Sequence, residues 1–117
     1  LIKISEKKTS QNSIIQVNIA LNYGSRSELI NTLKLINKKK IKINEMNIDN
    51  NLFTKNIPSP DIMIRTGNTQ RLSNFLLWQL AYTEIFFEKK LWPDFKKKNF
   101  IMILKKYKSI KRNFGSI

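Results

Sequence analysis

The residues with the clearest chemical content lie in one short stretch, Arg65-Thr66-Gly67-Asn68-Thr69-Gln70-Arg71-Leu72-Ser73-Asn74. Two guanidinium groups and a hydroxyl converge there. Guanidinium forks match the paired oxygens of a phosphate, and a serine hydroxyl can donate to a third oxygen. The stretch follows an apolar run, Asp61-Ile62-Met63-Ile64, and precedes another that starts at Asn74. It is therefore expected between the carboxyl end of a strand and the start of a helix, where free N–H groups and the helix dipole favour an anion. That arrangement reads as a diphosphate cradle. The alternative is that Arg65 and Arg71 make surface ion pairs while Ser73 only caps the helix. No GxxxxGK[ST] pattern occurs, so the loop is not of the P-loop type.

A second candidate is Glu84, a carboxylate set among Tyr82, Ile85, Phe86 and Phe87. Such a group is costly to bury unless it is paired or holds a cation. The chain has no histidine and no cysteine, so any metal ligand must be an oxygen, and a hard cation such as Mg²⁺ is the natural choice. A salt bridge from Glu84 to a lysine or to Arg71 is the competing reading. Phe75, Trp78 and Trp92 either line a hydrophobic tunnel or pack as core.

The formal net charge of +14 raises nucleic acid or an anionic membrane surface as partners. The basic residues, however, are 18 Lys against 4 Arg, beside 18 Ile and 14 Asn, a bias that AT-rich codon usage produces without selection for binding. Runs such as Lys38 to Lys40 and Lys96 to Lys98 then read as solvated faces, and no nucleic acid is expected. The same bias makes each retained arginine informative. Arg65 and Arg71 lie in the candidate cradle, and Arg26 lies just after the turn at Asn22-Tyr23-Gly24. The chain opens on Leu1 and runs into charged residues, which reads as a segment of something longer. Residues 1 to 117 are expected to form part of a single domain.

The elements that must position these groups alternate in type. Ile14 to Leu21 is a nearly continuous apolar run, expected as a strand buried on both faces of a parallel sheet. The turn at Asn22-Tyr23-Gly24 leads to a helix with Ser25 and Glu28 at capping-box spacing. Asn44 is expected to cap a short helix running through Leu52. Asp61 to Ile64 is expected as a strand, Asn74 to Tyr82 as a buried helix, Glu84 to Phe87 as a strand, and Lys97 to Arg112 as a final helix. This order implies an α/β layer, a partial parallel sheet with flanking helices, whose ligands gather at the carboxyl ends of the strands.

The run PDIMIRTGNTQRLSNFLLWQLAYTEIFFEKKLWPDF, with NIALNYGSR upstream and Arg-Asn-Phe-Gly near the end, resembles the signature block of the undecaprenyl diphosphate synthase type of cis-prenyltransferase. The resemblance extends from about Val17 to Gly115 and corresponds to the carboxy-terminal half of that fold. It implies condensation of isopentenyl diphosphate with an allylic diphosphate, in a cytoplasmic homodimer with Mg²⁺, and peripheral association with a membrane for product release. By position it implies that Arg65, Arg71, Leu72 and Ser73 bind the diphosphate of isopentenyl diphosphate and that Glu84, reaching from the dimer partner, ligates Mg²⁺. It further implies that Trp78 to Phe87 lies in the dimer-forming region. The family's aspartate-bearing Asp-Gly-Asn-Gly-Arg-Trp motif is absent. Asn68-Thr69 stands where relatives show Gly-Glu, and Asn113 stands where they show an arginine. An accessory, non-catalytic subunit or a decayed remnant is the alternative to an active transferase.

Overall fold

The computed structural model describes residues 2 to 111. In chain order they form α1 (Ile2–Thr9), α2 (Ser25–Lys39), α3 (Glu45–Asp49), β1 (Ile62–Arg65), β2 (Glu84–Phe87), a 3₁₀ turn (Trp92–Asp94) and α4 (Lys97–Ser109). Strands β1 and β2 pair in parallel, with Ile62 opposite Glu84 and Arg65 opposite Phe87. A parallel pair needs a long crossover between its strands. Here the crossover is the Arg65-to-Thr83 segment, and it carries the candidate site.

Local chemistry accounts for the helix ends. The Asn44 side chain accepts from the Asn47 N–H and starts α3, as expected. At the other end of α2, Lys40 takes the left-handed conformation (φ 53°), and its N–H and that of Ile41 return to the carbonyls of Asn37 and Ile36. This closes the helix without a glycine. Helix α4 begins where Asn99 Oδ1 accepts from the Lys96 N–H at 3.1 Å. It ends at Ser109, short of the expected Arg112, because Ile110 turns extended (φ −79°, ψ 124°) and its N–H bonds back to the Tyr107 carbonyl.

Two expected elements are not formed. Ile14 to Leu21 is irregular, with Ile14, Val17 and Ile19 at 99%, 74% and 77% exposure. A strand exists only by pairing, and among the described residues the sheet has two strands, β1 and β2, neither of which bonds to this run. The expected helix from Asn74 to Tyr82 is a chain of turns. Ser73, Asn74 and Leu76 all have positive φ (50°, 62° and 45°), which no right-handed helix accommodates.

The buried apolar core consists of Ile36, Leu52, Leu80 and Ile103. The radius of gyration, 16.9 Å, exceeds the roughly 13 Å of a compact domain of this length. Among the described residues no helix is long and apolar enough to cross a membrane.

Candidate functional site

Arg65 ends β1, and its guanidinium turns into the loop that follows. Nε donates to Thr69 Oγ1 at 2.7 Å, and Nη1 donates to Ser73 Oγ at 3.0 Å and to the Arg71 carbonyl. All three acceptors are neutral oxygens. Among the described residues the cation is therefore oriented without being neutralised, the condition under which it can still bind an anion strongly. Thr69 thus offers the guanidinium a hydroxyl, and among the described residues no carboxylate bonds to it.

The loop backbone is fixed by the segment after β2. Gly67 N–H donates to the Lys90 carbonyl at 2.8 Å and Asn68 N–H to the Glu88 carbonyl at 3.1 Å, while Glu88 N–H returns to the Arg65 carbonyl at 2.8 Å. Gly67 has a φ of 93°, which suits glycine and strains other residues. Beside the loop, Met63, Ile64, Arg65, Thr66, Leu72, Ser73 and Phe75 line an open cavity of about 320 Å³.

Of the residues expected at the diphosphate site, Arg65, Leu72 and Ser73 meet at this cavity. Arg71 contributes its carbonyl and leaves its side chain exposed. Ser73 is not a helix cap, because no helix follows it, so the charge this loop offers to an anion is that of the guanidinium and not of a helix dipole. Glu84 is not brought to Arg65. It pairs with Ile62, three residues before Arg65. It therefore lies on the opposite face of the sheet and about 10 Å back along the strand. Among the described residues no group of three or more carboxylates stands ready for a metal. The residues of one copy thus do not fit a Mg²⁺ site shared between Glu84 and the cradle. Asn113 lies outside the described residues.

Phe75 and Trp92 are 40% and 73% exposed, so neither is core. Trp78 is half-buried, with Nε1 donating to Asp49 Oδ1 at 2.8 Å. Phe75 stands edge-on to Tyr23 at 5.7 Å between ring centroids.

Sequence reasoning missed the centre of the polar network below the loop. The expectation for Glu28 was a capping box with Ser25. Instead its carboxylate is fully buried and accepts from the Tyr23 hydroxyl, the Phe53 N–H at 2.9 Å and Gln79 Nε2 at 3.1 Å. Ser25 is likewise buried and accepts from the Leu77 N–H at 3.0 Å. Burial and the bond to Glu28 push the Tyr23 hydroxyl up to about 12. No local signal marks this burial, since two of the donors, Phe53 and Gln79, lie 25 and 51 residues further along the chain.

Comparison with known proteins supplies the family. The prenyltransferase family model for undecaprenyl diphosphate synthase matches residues 1–115. The isoprenyl transferase of Oceanobacillus iheyensis is 44% identical over 124 residues, covering 99% of this chain and 49% of the relative. That of Thermotoga maritima is 42% identical over 117 residues, covering 96% and 50%. Among solved structures, a probable undecaprenyl diphosphate synthase from Campylobacter jejuni superposes with a TM-score of 0.87 at 41% identity, covering 98% of this chain and 54% of that one. Lavandulyl diphosphate synthase from Lavandula x intermedia, in complex with dimethylallyl diphosphate, superposes with a TM-score of 0.90 at 35% identity, covering 98% and 52%. The chain spans about half the length of the relatives it matches. By the match of nearly its whole length, this chain belongs to the undecaprenyl diphosphate synthase family of prenyltransferases.

Proposed function

We propose that this chain supplies the isopentenyl diphosphate side of a cis-prenyltransferase, which condenses isopentenyl diphosphate with an allylic diphosphate. The observation that carries the reading is the Arg65 guanidinium, held by Thr69, Arg71 and Ser73 at the carboxyl end of β1 with its charge unneutralised. A diphosphate group is the ligand whose paired anionic oxygens such a fork best satisfies. A second cavity, of about 580 Å³, is lined in part by Val17, Ile19, Leu21 and Phe53 and has Phe75 in common with the cradle. An apolar wall next to an anion site suits a molecule with a charged head and a hydrocarbon tail.

Mg²⁺ enters the proposal as an ion that accompanies the diphosphate, since hard cations of this size are commonly held by one or two carboxylates together with substrate phosphates. Glu84 joins such a site only from a second copy, so the working unit is a homodimer. A cytoplasmic setting, with the product passing to a membrane surface, belongs to the same reading. The test is a calorimetric titration of isopentenyl diphosphate with and without Mg²⁺. Saturable binding that is lost in Arg65→Ala supports the proposal, and no binding by the unaltered chain overturns it. Binding without transfer to an allylic diphosphate favours an accessory subunit instead.

A further inference from the structure

The cradle loop is held by groups outside it. Positive φ at Ser73, Asn74 and Leu76 is unfavourable for residues with side chains, so the surrounding contacts must impose it. Those contacts come from the first turn of α2. Ser25 N–H donates to the Asn74 carbonyl at 2.8 Å, and Arg26 N–H donates to Asn74 Oδ1 at 2.9 Å. Leu77 N–H donates in the other direction, to Ser25 Oγ at 3.0 Å. Gly24 completes the contact, because a Cβ at that position would stand 2.8 Å from Asn74 Nδ2. Two of the amides that a helix start leaves without intrahelical partners are thus spent on Asn74.

We infer that Asn74 is a positioning residue for the diphosphate cradle. By locking the chain immediately after Ser73 to α2, it fixes Ser73 Oγ at 3.0 Å from Arg65 Nη1 and so sets the aim of the guanidinium. The inference rests on the diphosphate reading of the cradle, and its test separates the two. Two variants of the full chain are compared. Asn74→Gly suits a φ of 62° better than asparagine does but lacks Oδ1, whereas Asn74→Asp keeps an acceptor for the Arg26 N–H.

The readouts are the calorimetric affinity for inorganic diphosphate and the solvent-exchange rate of the Arg65 Nε–H, measured by nitrogen-15 NMR. Asn74→Gly is expected to weaken diphosphate binding about fivefold and to speed Arg65 exchange, while Asn74→Asp stays within about twofold of the unaltered chain. If Asn74→Gly matches the unaltered chain in both readouts, only the backbone conformation matters at this position and the inference is overturned. If the unaltered chain binds no diphosphate, the cradle reading fails while the exchange rate still decides. Faster exchange in the glycine than in the aspartate variant upholds the positioning role, and equal rates overturn it. Should Asn74→Gly melt below the assay temperature, Gly24→Ala, whose Cβ would stand 2.8 Å from Asn74 Nδ2, displaces the Asn74 side chain and gives the same comparison.

Discussion

The Tyr23 hydroxyl donates to the carboxylate of Glu28, a group with no exposed surface, and this bond ties the turn before α2 to the network under the cradle loop. With the Tyr23 hydroxyl raised from 10.0 to about 12, by burial first and by Glu28 second, the folded chain holds this proton more tightly than the unfolded chain does. The resulting stabilisation is full below about pH 10 and is lost as pH rises through about 12. Unfolding free energy measured against pH in urea should fall across that window, and Tyr23→Phe should flatten the fall.

Replacing Glu28 by alanine leaves the Tyr23 hydroxyl, the Phe53 N–H and the Gln79 amide without this acceptor. Each buried donor left unpaired costs about 1–3 kcal/mol. Glu28→Ala should therefore cost at least about 2 kcal/mol in urea unfolding, and Glu28→Gln less, since one oxygen is retained. A loss below about 0.5 kcal/mol in the alanine variant would mean that water reaches these donors.

Arg65→Lys keeps the charge but cannot reproduce the fork that reaches Thr69 and Ser73 together. Calorimetry should show a diphosphate affinity about tenfold lower in Arg65→Lys, with a smaller loss in Arg71→Lys, whose side chain is exposed. Equal losses would place the two arginines on the same footing and contradict a cradle centred on Arg65.

Glu84 and Arg65 lie on opposite faces of the strand pair, about 10 Å apart along it. In Mg²⁺-free buffer, Glu84→Gln should change the diphosphate affinity of the cradle by less than about twofold, the size of a screened interaction at that distance. A larger change in a monomeric sample, checked by sedimentation, would place the carboxylate closer to the cradle than β1 and β2 do.

The apolar side chains of Ile14, Ile15, Val17, Ile19 and Leu21 are at least 67% exposed. Exposed runs of this kind favour association. Ile15→Lys should leave the far-ultraviolet circular dichroism of the chain unchanged and lower its light scattering, and unchanged scattering would exclude this run as the associating surface.

Legibility from sequence followed the range of the interactions involved. β1, β2 and the body of α4 were readable because apolar runs and turn residues are local signals, and Asn44 was readable as a cap because its bond is to Asn47, three residues away. Arg65 and Ser73 fall together because one loop carries both. The misses were non-local. Ile14 to Leu21 has the composition of a strand but no neighbouring strand among the described residues. The run from Asn74 to Tyr82 has helical composition, yet bonds from Ser25 and Arg26, nearly fifty residues earlier, hold its start in a left-handed conformation. Glu28 carried a capping pattern that its burial against Phe53 and Gln79 overrode. Glu84 was expected to serve a metal from the dimer partner, and its place on the other face of the strand pair from Arg65 is set by the register, which spacing along the chain does not give.

That separation has a genetic corollary. In the proposed homodimer, a centre that used both Glu84 and Arg65 would draw them from two chains and would be a property of a pair of molecules. A chain altered only at Arg65 and a chain altered only at Glu84 would each be inactive alone, yet a mixture would regenerate one intact combination in every mixed pair. Two defective alleles of this gene would then rescue each other, while a chain carrying both changes would silence any intact chain it joined.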